Sequence, residues 1–164
     1  MVMSVDLQAI EEIKQLKYRY VRALDTGDTE TLGDCLTEDA YIKFEGGIYT
    51  VEHTGRAAIT EFMGTSFHSR AATSHQVHHP TIELLSDVTA KGQWSLQDYY
   101  HDLNHRMIVS GASEYVDQYV KEADGKWRIA DSRYERLYEM TQPMPENMTC
   151  TVHKLAKTGK DLGL

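Results

Sequence analysis

The chain has few of the features that mark small secreted proteins or membrane proteins. It has 164 residues but only two cysteines, Cys35 and Cys150, which lie far apart and form no CxxC motif. No disulfide is required, so a reducing, cytoplasmic setting is the simpler prediction. No stretch approaches the roughly 20 apolar residues of a membrane helix, and residues 1–8 lack the apolar core of a signal peptide. We therefore predict a cytoplasmic protein with no membrane partner.

Positive charge is also scarce. The chain carries 17 Lys and Arg against 25 Asp and Glu, a formal net charge of −8. A nucleic-acid surface needs clustered Lys and Arg, so we expect no nucleic-acid partner. Hydrophobic residues make up 41% and charged residues 26% of the chain, which is ordinary for a globular protein with one core. The composition therefore predicts a single domain.

The first third of the chain has helical periodicity. Residues 6–25 predict an amphipathic helix, with Asp6 as N-cap and Gly27 as terminator. A shorter second helix is predicted from Asp28 to a point near Leu36. The pattern then predicts short strands at 41–44 and 48–52, followed by a third helix that begins at Gly55 and turns residues 58, 59, 62 and 63 inward.

The remainder alternates at period two, as strands do. Four long strands are predicted, at 72–85, 88–100, 107–122 and 127–140. Pro80 cannot donate to a ladder, so a bulge is expected at His79–Pro80, and an Asp-Gly turn joins the last two strands. Helices followed by a strand meander predict an α+β fold, with N-terminal helices packed on a strongly curved antiparallel sheet that forms a cone-shaped barrel around a pocket. Residues 141–164 are expected to form a C-terminal extension, either on the surface or as a docking arm.

Asp98 stands on the apolar side of the second long strand. Its alternate positions carry Val88, Ala90, Gly92, Trp94, Leu96, Asp98 and Tyr100. Burying an unpaired carboxylate is so costly that the group protonates or finds a partner, which makes Asp98 a candidate for site chemistry. The alternative is an acid at a strand end that has already reached solvent.

Three histidines lie within five positions, at 75, 78 and 79. Neighbouring strand residues point to opposite faces, so only His75 and His79 share one, and the expected bulge separates them. A zinc site needs further ligands, and we predict no metal. Val77 marks the inner face and places His75 inside. There it is either a core histidine with one hydrogen bond or a general base, since imidazole titrates near neutrality.

Three other residues each allow a structural and a functional interpretation. Asp25, at the end of the first helix, is either a solvated acid in a turn or an acid that orients a histidine. Tyr20, on the inner stripe of that helix, either packs in the core or donates to a developing oxyanion. Arg136, near the end of the last strand, either pairs with a nearby glutamate or holds Asp98 or an anionic substrate group.

Several segments resemble, in order, the SnoaL-like proteins of the cystatin-like α+β cone superfamily typified by nuclear transport factor two. The first runs from Ile13 to Tyr20 and on through Leu24–Asp25 into a Gly-Asp turn. The others are Thr-Ser-His-Gln-Val-His-His-Pro, Gly-Gln-Trp-Ser-Leu-Gln-Asp, and Asp-Gly-Lys-Trp-Arg-Ile continuing into Tyr-Glu-Arg-Leu-Tyr-Glu. Within the family, the chain resembles bile-acid 7α-dehydratase and, more distantly, scytalone dehydratase.

The resemblance implies a site as well as a fold. The tyrosine and aspartate on the first helix of the dehydratases match Tyr20 and Asp25, and their cavity histidine matches His75. The acid that ends their Trp-x-Leu-x-Asp strand matches Asp98, and their last-strand arginine matches Arg136. One SnoaL-like domain is expected over residues 1–164. We expect the substrate to contact Phe62, Val77, Trp94, Leu96 and Tyr115.

The implied activity is that of a cofactor-independent lyase or isomerase, a dehydratase acting on a small cyclic or polycyclic apolar substrate such as a steroid. His75, oriented by Asp25, would remove a proton beside an activating group. Tyr20 would stabilise the oxygen that gains charge, and Asp98 with Arg136 would serve as a second acid or an anchor. Polyketide cyclases are related members of the family.

Two other functions share this fold and stay open. One is a non-catalytic small-molecule-binding protein, which predicts that the side chains of His75 and Asp25 do not meet. The other is the small subunit of a ring-hydroxylating oxygenase, which predicts constitutive association with a large subunit. The family also implies a homo-oligomer, with a trimer favoured and a dimer possible.

Overall fold

The computed structural model describes residues 6–164, which form four helices and six strands. The helices are α1 (Leu7–Thr26), α2 (Thr29–Asp34), α3 (Arg56–Ser66) and α4 (Leu155–Thr158). The strands are β1 (Leu36–Glu45), β2 (Thr50–Thr54), β3 (Ala71–Leu84), β4 (Thr89–Asp102), β5 (Met107–Lys121) and β6 (Trp127–Pro143). None of the helices in this part of the chain is both long and apolar enough to cross a membrane.

The helix boundaries follow the capping residues that the sequence displays. Asp6 accepts a hydrogen bond from the backbone N of Ala9 at 3.0 Å, and so caps α1. Gly27 ends the helix with φ 65°, a left-handed conformation that costs glycine little. Asp28 caps α2 in turn. These predictions are confirmed, although α2 stops at Asp34 because the chain is already extended at Leu36.

The six strands form one curved, unclosed sheet in the order β2-β1-β6-β5-β4-β3. Strands β3 to β6 make the predicted antiparallel meander. The prediction of a wholly antiparallel sheet is wrong in one place, because β1 pairs in parallel with β6. Alternation along a strand reports which face is buried but not the direction of its neighbour. The α+β cone is otherwise confirmed.

The predicted irregularity in β3 is present. The register shifts between His78 and Thr81, and His79 takes a left-handed φ of 50°. Pro80 lacks an N–H and so interrupts the ladder there. His78 and His79 are both exposed, with their Nδ1 atoms 2.9 Å apart, whereas His75 lies on the inner side of the strand. The three histidines therefore do not converge.

Helices α1 and α3 cover the concave side of the sheet. Ile13, Leu16 and Ile59 are fully buried against it, as their periodicity predicts. Ala58 is exposed, contrary to the prediction, because the buried stripe of α3 follows Ile59 and Met63. This arrangement leaves one end of the cone closed by core packing and the other end hollow.

Strand β6 runs three residues beyond its predicted end, because Met107–Val109 pairs with residues 141–143. The chain then folds back along the domain. The backbone N of Met144 donates to the carbonyl O of Arg106 at 2.7 Å, and α4 packs against α1 and β3 through the buried Leu155. The C-terminal segment 144–164 thus docks on its own domain.

Candidate active site

A cavity of about 420 Å³ occupies the open half of the cone. Its size falls in the range of small-molecule pockets. Seven aromatic side chains form most of its wall: Phe44, Tyr49, Phe62, Phe67, Tyr100, Tyr115 and Tyr134. Five charged or titratable side chains besides the tyrosines also line it: His68, His75, Asp98, Asp102 and Arg136. His68 is bound to the backbone of Arg70 and Asp102 to His105, which leaves the other three as the candidates for site chemistry. The cavity is therefore an aromatic chamber with a titratable group on one side and an ion pair on the other.

The side chain of Asp25 on α1 binds and orients the side chain of His75 on β3. Asp25 ends the buried stripe of α1, and His75 lies on β3 directly opposite Asp98 of β4. The ring Nδ1 of His75 lies 2.7 Å from Asp25 Oδ1. The second carboxylate oxygen accepts the backbone N–H of His75 at 2.8 Å, and Thr73 donates its hydroxyl to Oδ1 at 2.8 Å. Asp25 thus fixes both the ring and the backbone of His75.

The hydrogen bonds also determine the protonation states of Asp25 and His75. Burial alone would raise the pKa of the Asp25 carboxyl, but the hydrogen bonds from His75 and Thr73 outweigh it and lower that pKa below its ordinary value. An ionised carboxylate only accepts, so Nδ1 of His75 carries the proton in the neutral ring. His75 lines the cavity and Asp25 does not. The free Nε2 edge is consequently the part of the ring that faces the cavity.

Asp25→Asn should cost about 1.5–3 kcal/mol of unfolding free energy at pH 7, the range for hydrogen bonds to a charged group. The folded-state pKa of Asp25 lies below its unfolded value of about 3.9. The stabilisation is therefore complete above that value and is lost as the pH falls through the folded pKa. Urea titrations of both proteins at pH 7 and at pH values below 4 should show the difference shrinking. A difference that stays constant with pH contradicts the assignment.

Asp98 and Arg136 form a buried ion pair across the sheet. Both terminal nitrogens of the guanidinium donate to the carboxylate, Nη1 to Oδ1 and Nη2 to Oδ2, the latter at 2.9 Å. Their side chains are 8% and 7% exposed. Burial by itself would lower the pKa of the Arg136 guanidinium, but the hydrogen bonds with Asp98 raise it instead. Asp98 is therefore a paired buried acid.

Two further groups hold the remaining edge of Arg136. Its Nε donates to the hydroxyl of Tyr49 at 3.1 Å and lies 3.3 Å from Oε2 of Glu139. The hydroxyls of Tyr49 and Tyr134 are 2.6 Å apart. Burial raises the pKa of both phenols, so both stay protonated. Two carboxylates and a phenol therefore surround the guanidinium of Arg136. Because its hydrogen-bond donors are occupied by protein groups, Arg136 is poorly placed to bind an anionic ligand.

The ion pair can form because β5 carries a glycine between its partners. Gly111 pairs with Asp98 on one side and with Glu139 on the other. A Cβ at this position would overlap the backbone oxygen of Tyr138 and lie 3.0 Å from Nη1 of Arg136. Because Gly111 has no side chain, the guanidinium of Arg136 can cross β5 and reach Asp98.

Gly111→Ala should cost about 1–3 kcal/mol of unfolding free energy, the range for overpacking, because the new methyl displaces Arg136 and the backbone of β6. Gly33→Ala in α2 is the control, since its Cβ would meet ordinary contacts of 3.5 Å or more and alanine favours a helix. The control should be neutral or stabilising. Equal stability of the Gly111 variant and the native protein in urea unfolding contradicts the proposed route.

Five residues expected at the site lie outside the cavity wall, namely Asp25, which contacts His75 from outside it, and four others. Tyr20 is fully buried, and its hydroxyl has no hydrogen-bond partner among residues 6–164. Trp94 and Leu96 are buried on the inner face of β4, and Val77 lies opposite Leu96 on β3. Period-two alternation correctly predicts the face of the sheet on which Val77, Trp94 and Leu96 lie. It does not predict that they lie away from the hollow end of the cone. Phe62 and Tyr115 do line the cavity.

At the closed end of the cone, a buried ion pair occupies the interior in place of a cavity. Lys17 and Asp117 are both fully buried, with Nζ 2.7 Å from Oδ2, and Nζ lies 3.4 Å from the ring centroid of Tyr115. Asp117 also accepts the hydroxyls of Tyr119 and Ser132. Burial lowers the pKa of Lys17, although Asp117 partly offsets this effect. Tyr20 packs beside this pair, which explains why it does not reach the cavity.

Comparison with known proteins shows which family the chain matches and which solved structures share its fold. The chain matches the family model of the SnoaL-like domain over residues 5–133. A candidate scytalone dehydratase from Novosphingobium aromaticivorans superposes with a TM-score of 0.73 at 19% identity, covering 88% of this chain and 97% of that one. Hexachlorocyclohexane dehydrochlorinase LinA-type3 from Novosphingobium barchaimii gives 0.73 at 16% identity, covering 89% and 96%. A Mycobacterium tuberculosis protein of unknown function gives 0.62 at 26% identity, covering 80% and 77%.

Proposed function

Because the chain belongs to the SnoaL-like family, we propose that its cone cavity is the active site of a cofactor-independent lyase or isomerase. One observation carries the proposal: an imidazole in the cavity wall is bound through Nδ1 to a partly buried carboxylate at 2.7 Å, which leaves Nε2 free towards the cavity. That is the arrangement of an oriented general base. Structural relatives with dehydratase and dehydrochlorinase names are consistent with elimination chemistry.

In the proposed reaction, Nε2 of His75 takes a proton from a carbon next to an activating group. Asp25 stabilises the imidazolium that forms, because its carboxylate is ionised and already bound to Nδ1. In an elimination, the electron pair of the broken C–H bond expels a leaving group from the adjacent carbon. In an isomerisation, the proton returns from His75 to another carbon of the same substrate.

Tyr49 and Tyr134 take the role that the sequence assigned to Tyr20. Their two hydroxyls share one hydrogen bond, and Arg136 donates a second to the oxygen of Tyr49. One phenolic proton of the pair consequently has no acceptor among the described side chains. It is available to a substrate oxygen that gains charge or to a leaving hydroxyl. Asp98 and Arg136 act on this pair by holding it in place.

The cavity favours an uncharged, ring-containing substrate. Aromatic rings supply most of the wall, and such walls stack on flat or cyclic apolar molecules. The guanidinium of Arg136 at the wall is already paired with Asp98, and Glu139 adds a further negative charge beside it. An anionic group would therefore meet net repulsion at the polar end. We propose small cyclic compounds with a carbonyl or halogen substituent as the substrate class.

A substrate screen in the presence of a chelator tests the proposal. Cyclic β-hydroxyketones such as scytalone should lose water, and hexachlorocyclohexane should release chloride, with no added cofactor. Product would be followed by mass spectrometry and by chloride titration. Turnover of at least one compound that is abolished in the His75→Ala variant is the expected result. Binding of these compounds without any turnover would point to a binding protein instead.

A further inference from the structure

The C-terminal segment 144–164 creates a second cleft outside the cone. The cleft, of about 420 Å³, lies between this segment and the strands β3 and β4. Ala72, Tyr99, Val152 and Leu155 give it carbon-rich walls, and the partly exposed Cys150 opens into it. We call it the tail cleft. No bond is made or broken here in the chemistry proposed for the cone cavity, although Asp25 and Thr73 also line this cleft.

Cys150 is paired with a histidine whose orientation is fixed. The Sγ atom of Cys150 lies 3.7 Å from Nδ1 of His153, within hydrogen-bonding range for sulfur. On the other side of the ring, Nε2 of His153 lies 3.0 Å from the carbonyl oxygen of Ser69. Ser69 is held in turn, because its backbone N donates to the carbonyl of Lys160 at 3.0 Å. The imidazole therefore bridges the thiol and a rigid backbone acceptor.

The backbone contact decides which nitrogen carries the proton. A carbonyl oxygen can only accept, so Nε2 of His153 is the protonated nitrogen of the neutral ring. Nδ1 is then the acceptor and faces the thiol of Cys150. A thiol beside a base that is oriented by a third group is the arrangement that generates a nucleophilic thiolate. The carbonyl of Val152, 3.5 Å from Sγ, competes for the same thiol proton.

We propose that the tail cleft is a second reactive site, in which Cys150 and His153 add covalently to α,β-unsaturated carbonyl compounds. The thiol proton moves to Nδ1 of His153, and the thiolate forms a C–S bond at the β-carbon. The carbon–carbon π electrons shift onto the carbonyl to give an enolate. Nδ1 returns its proton to the α-carbon, so the addition needs no co-reactant and releases nothing. This class of electrophile fits a site with carbon-rich walls and one soft nucleophile.

Several charged or titratable groups face the dyad across the cleft. They are Asp25 from α1, Tyr99 and His101 from β4, and Lys154 from the tail itself. Asp25 is engaged with His75 and Thr73, which leaves its side chain only 22% exposed. Lys154 and Asp25 carry opposite charges, and neither forms a hydrogen bond with the sulfur. Among residues 6–164, His153 is the group in contact with the sulfur that can take its proton.

N-ethylmaleimide is a suitable probe, because it is an α,β-unsaturated carbonyl compound that labels one thiol per addition. Labelling of the full chain at pH 7 should occur at Cys150 and spare Cys35, which is 1% exposed. His153→Gln keeps a donor for the carbonyl of Ser69 but cannot accept the thiol proton. The rate should fall about tenfold, since an unassisted thiol is only a few per cent ionised at this pH. Peptide mass spectrometry after timed quenching measures both sites.

His101→Gln is the matched control, since this side chain lines the same cleft without a bond to the sulfur. Its labelling rate should equal that of the native chain. An equal rate in the His153→Gln variant overturns the proposal, as does labelling of Cys35 at the same rate as Cys150. The pH dependence of labelling is a second test. Labelling rates that vary with pH in the same way in the native chain and the His153→Gln variant also overturn the proposal.

Discussion

Replacing His75 with alanine is expected to lower kcat by roughly a hundred- to ten-thousand-fold, the contribution of one general acid–base group. KM should change little, because the aromatic wall that binds the substrate is untouched. The fold should survive, since the backbone N–H of residue 75 still donates to Asp25 and only one side chain leaves the cavity wall. Steady-state kinetics on a compound from the substrate screen measure both constants.

His78→Ala is the matched control on the same strand. His78 is exposed and contacts His79 rather than any cavity residue. Its variant should retain native kcat. If both variants lose activity equally, the effect comes from β3 as a whole and not from the imidazole in the cavity. If the His75 variant retains kcat, another group is the base.

Arg136→Met is expected to produce the largest loss of stability, about 3–5 kcal/mol, because it leaves the Asp98 carboxylate buried without its partner. The two side chains are almost completely enclosed and are joined by two hydrogen bonds. The double variant Asp98→Leu/Arg136→Met removes the Asp98–Arg136 pair and should recover the part of the loss that comes from the unpaired Asp98. The part that comes from Glu139, which also loses its contact with Arg136, should remain. Urea unfolding of the native, single and double variants gives the coupling free energy.

The exposed pair Arg133–Asp131 provides the comparison. It is also bidentate, through Nε and Nη2 of Arg133, but the side chain of Arg133 is 54% exposed. Arg133→Met should therefore cost no more than about 1 kcal/mol. Equal losses in the two arginine variants would contradict the importance of burial. A double variant as unstable as Arg136→Met would contradict the pairing.

Local sequence signals predicted the elements of the fold well. Helix capping by Asp6, Gly27 and Asp28 depends on residues within one turn, and Pro80 interrupts the strand ladder at its own position. Each of these effects can therefore be predicted from neighbouring residues. The parallel pairing of β1 with β6 joins segments that are about 90 positions apart. No periodicity within either segment carries that information, and this is why the sheet was predicted as wholly antiparallel.

The candidate site could be predicted only where a residue stands out in its own segment. Asp98 did so as an acid on an apolar face, and His75 did so as an inner-face histidine. Their partners Asp25 and Arg136 were candidates in the sequence with a structural alternative each, and the family resemblance favoured the functional interpretation. Tyr49 and Tyr134 had no local signal, because their roles depend on the loop before β2 meeting β6 at Arg136. Glu139, by contrast, is one of the nearby glutamates that the sequence offered as a partner for Arg136. The buried pair of Lys17 and Asp117 joins α1 to β5 and likewise has no signal within either segment.

The close contact between His75 and Asp25 bears on the alternative of a non-catalytic binding protein, which predicts that these side chains do not meet. Their 2.7 Å separation favours the catalytic proposal. Association with a large oxygenase subunit and homo-oligomerisation, as a trimer or a dimer, stay predictions from the resemblance.

Proton abstraction by His75 can be measured without knowledge of the natural leaving group. A bicyclic ketone such as 2-tetralone has acidic C–H bonds beside its carbonyl and no group to expel, so in deuterium oxide a base in the cavity should exchange its α-protons. Proton NMR follows the loss of those signals over time. The native protein should accelerate the exchange, and the His75→Ala protein should leave it at the buffer rate. Ketone that binds in the cavity yet exchanges at the buffer rate, or equally fast with both proteins, would contradict the assignment of His75 as the base.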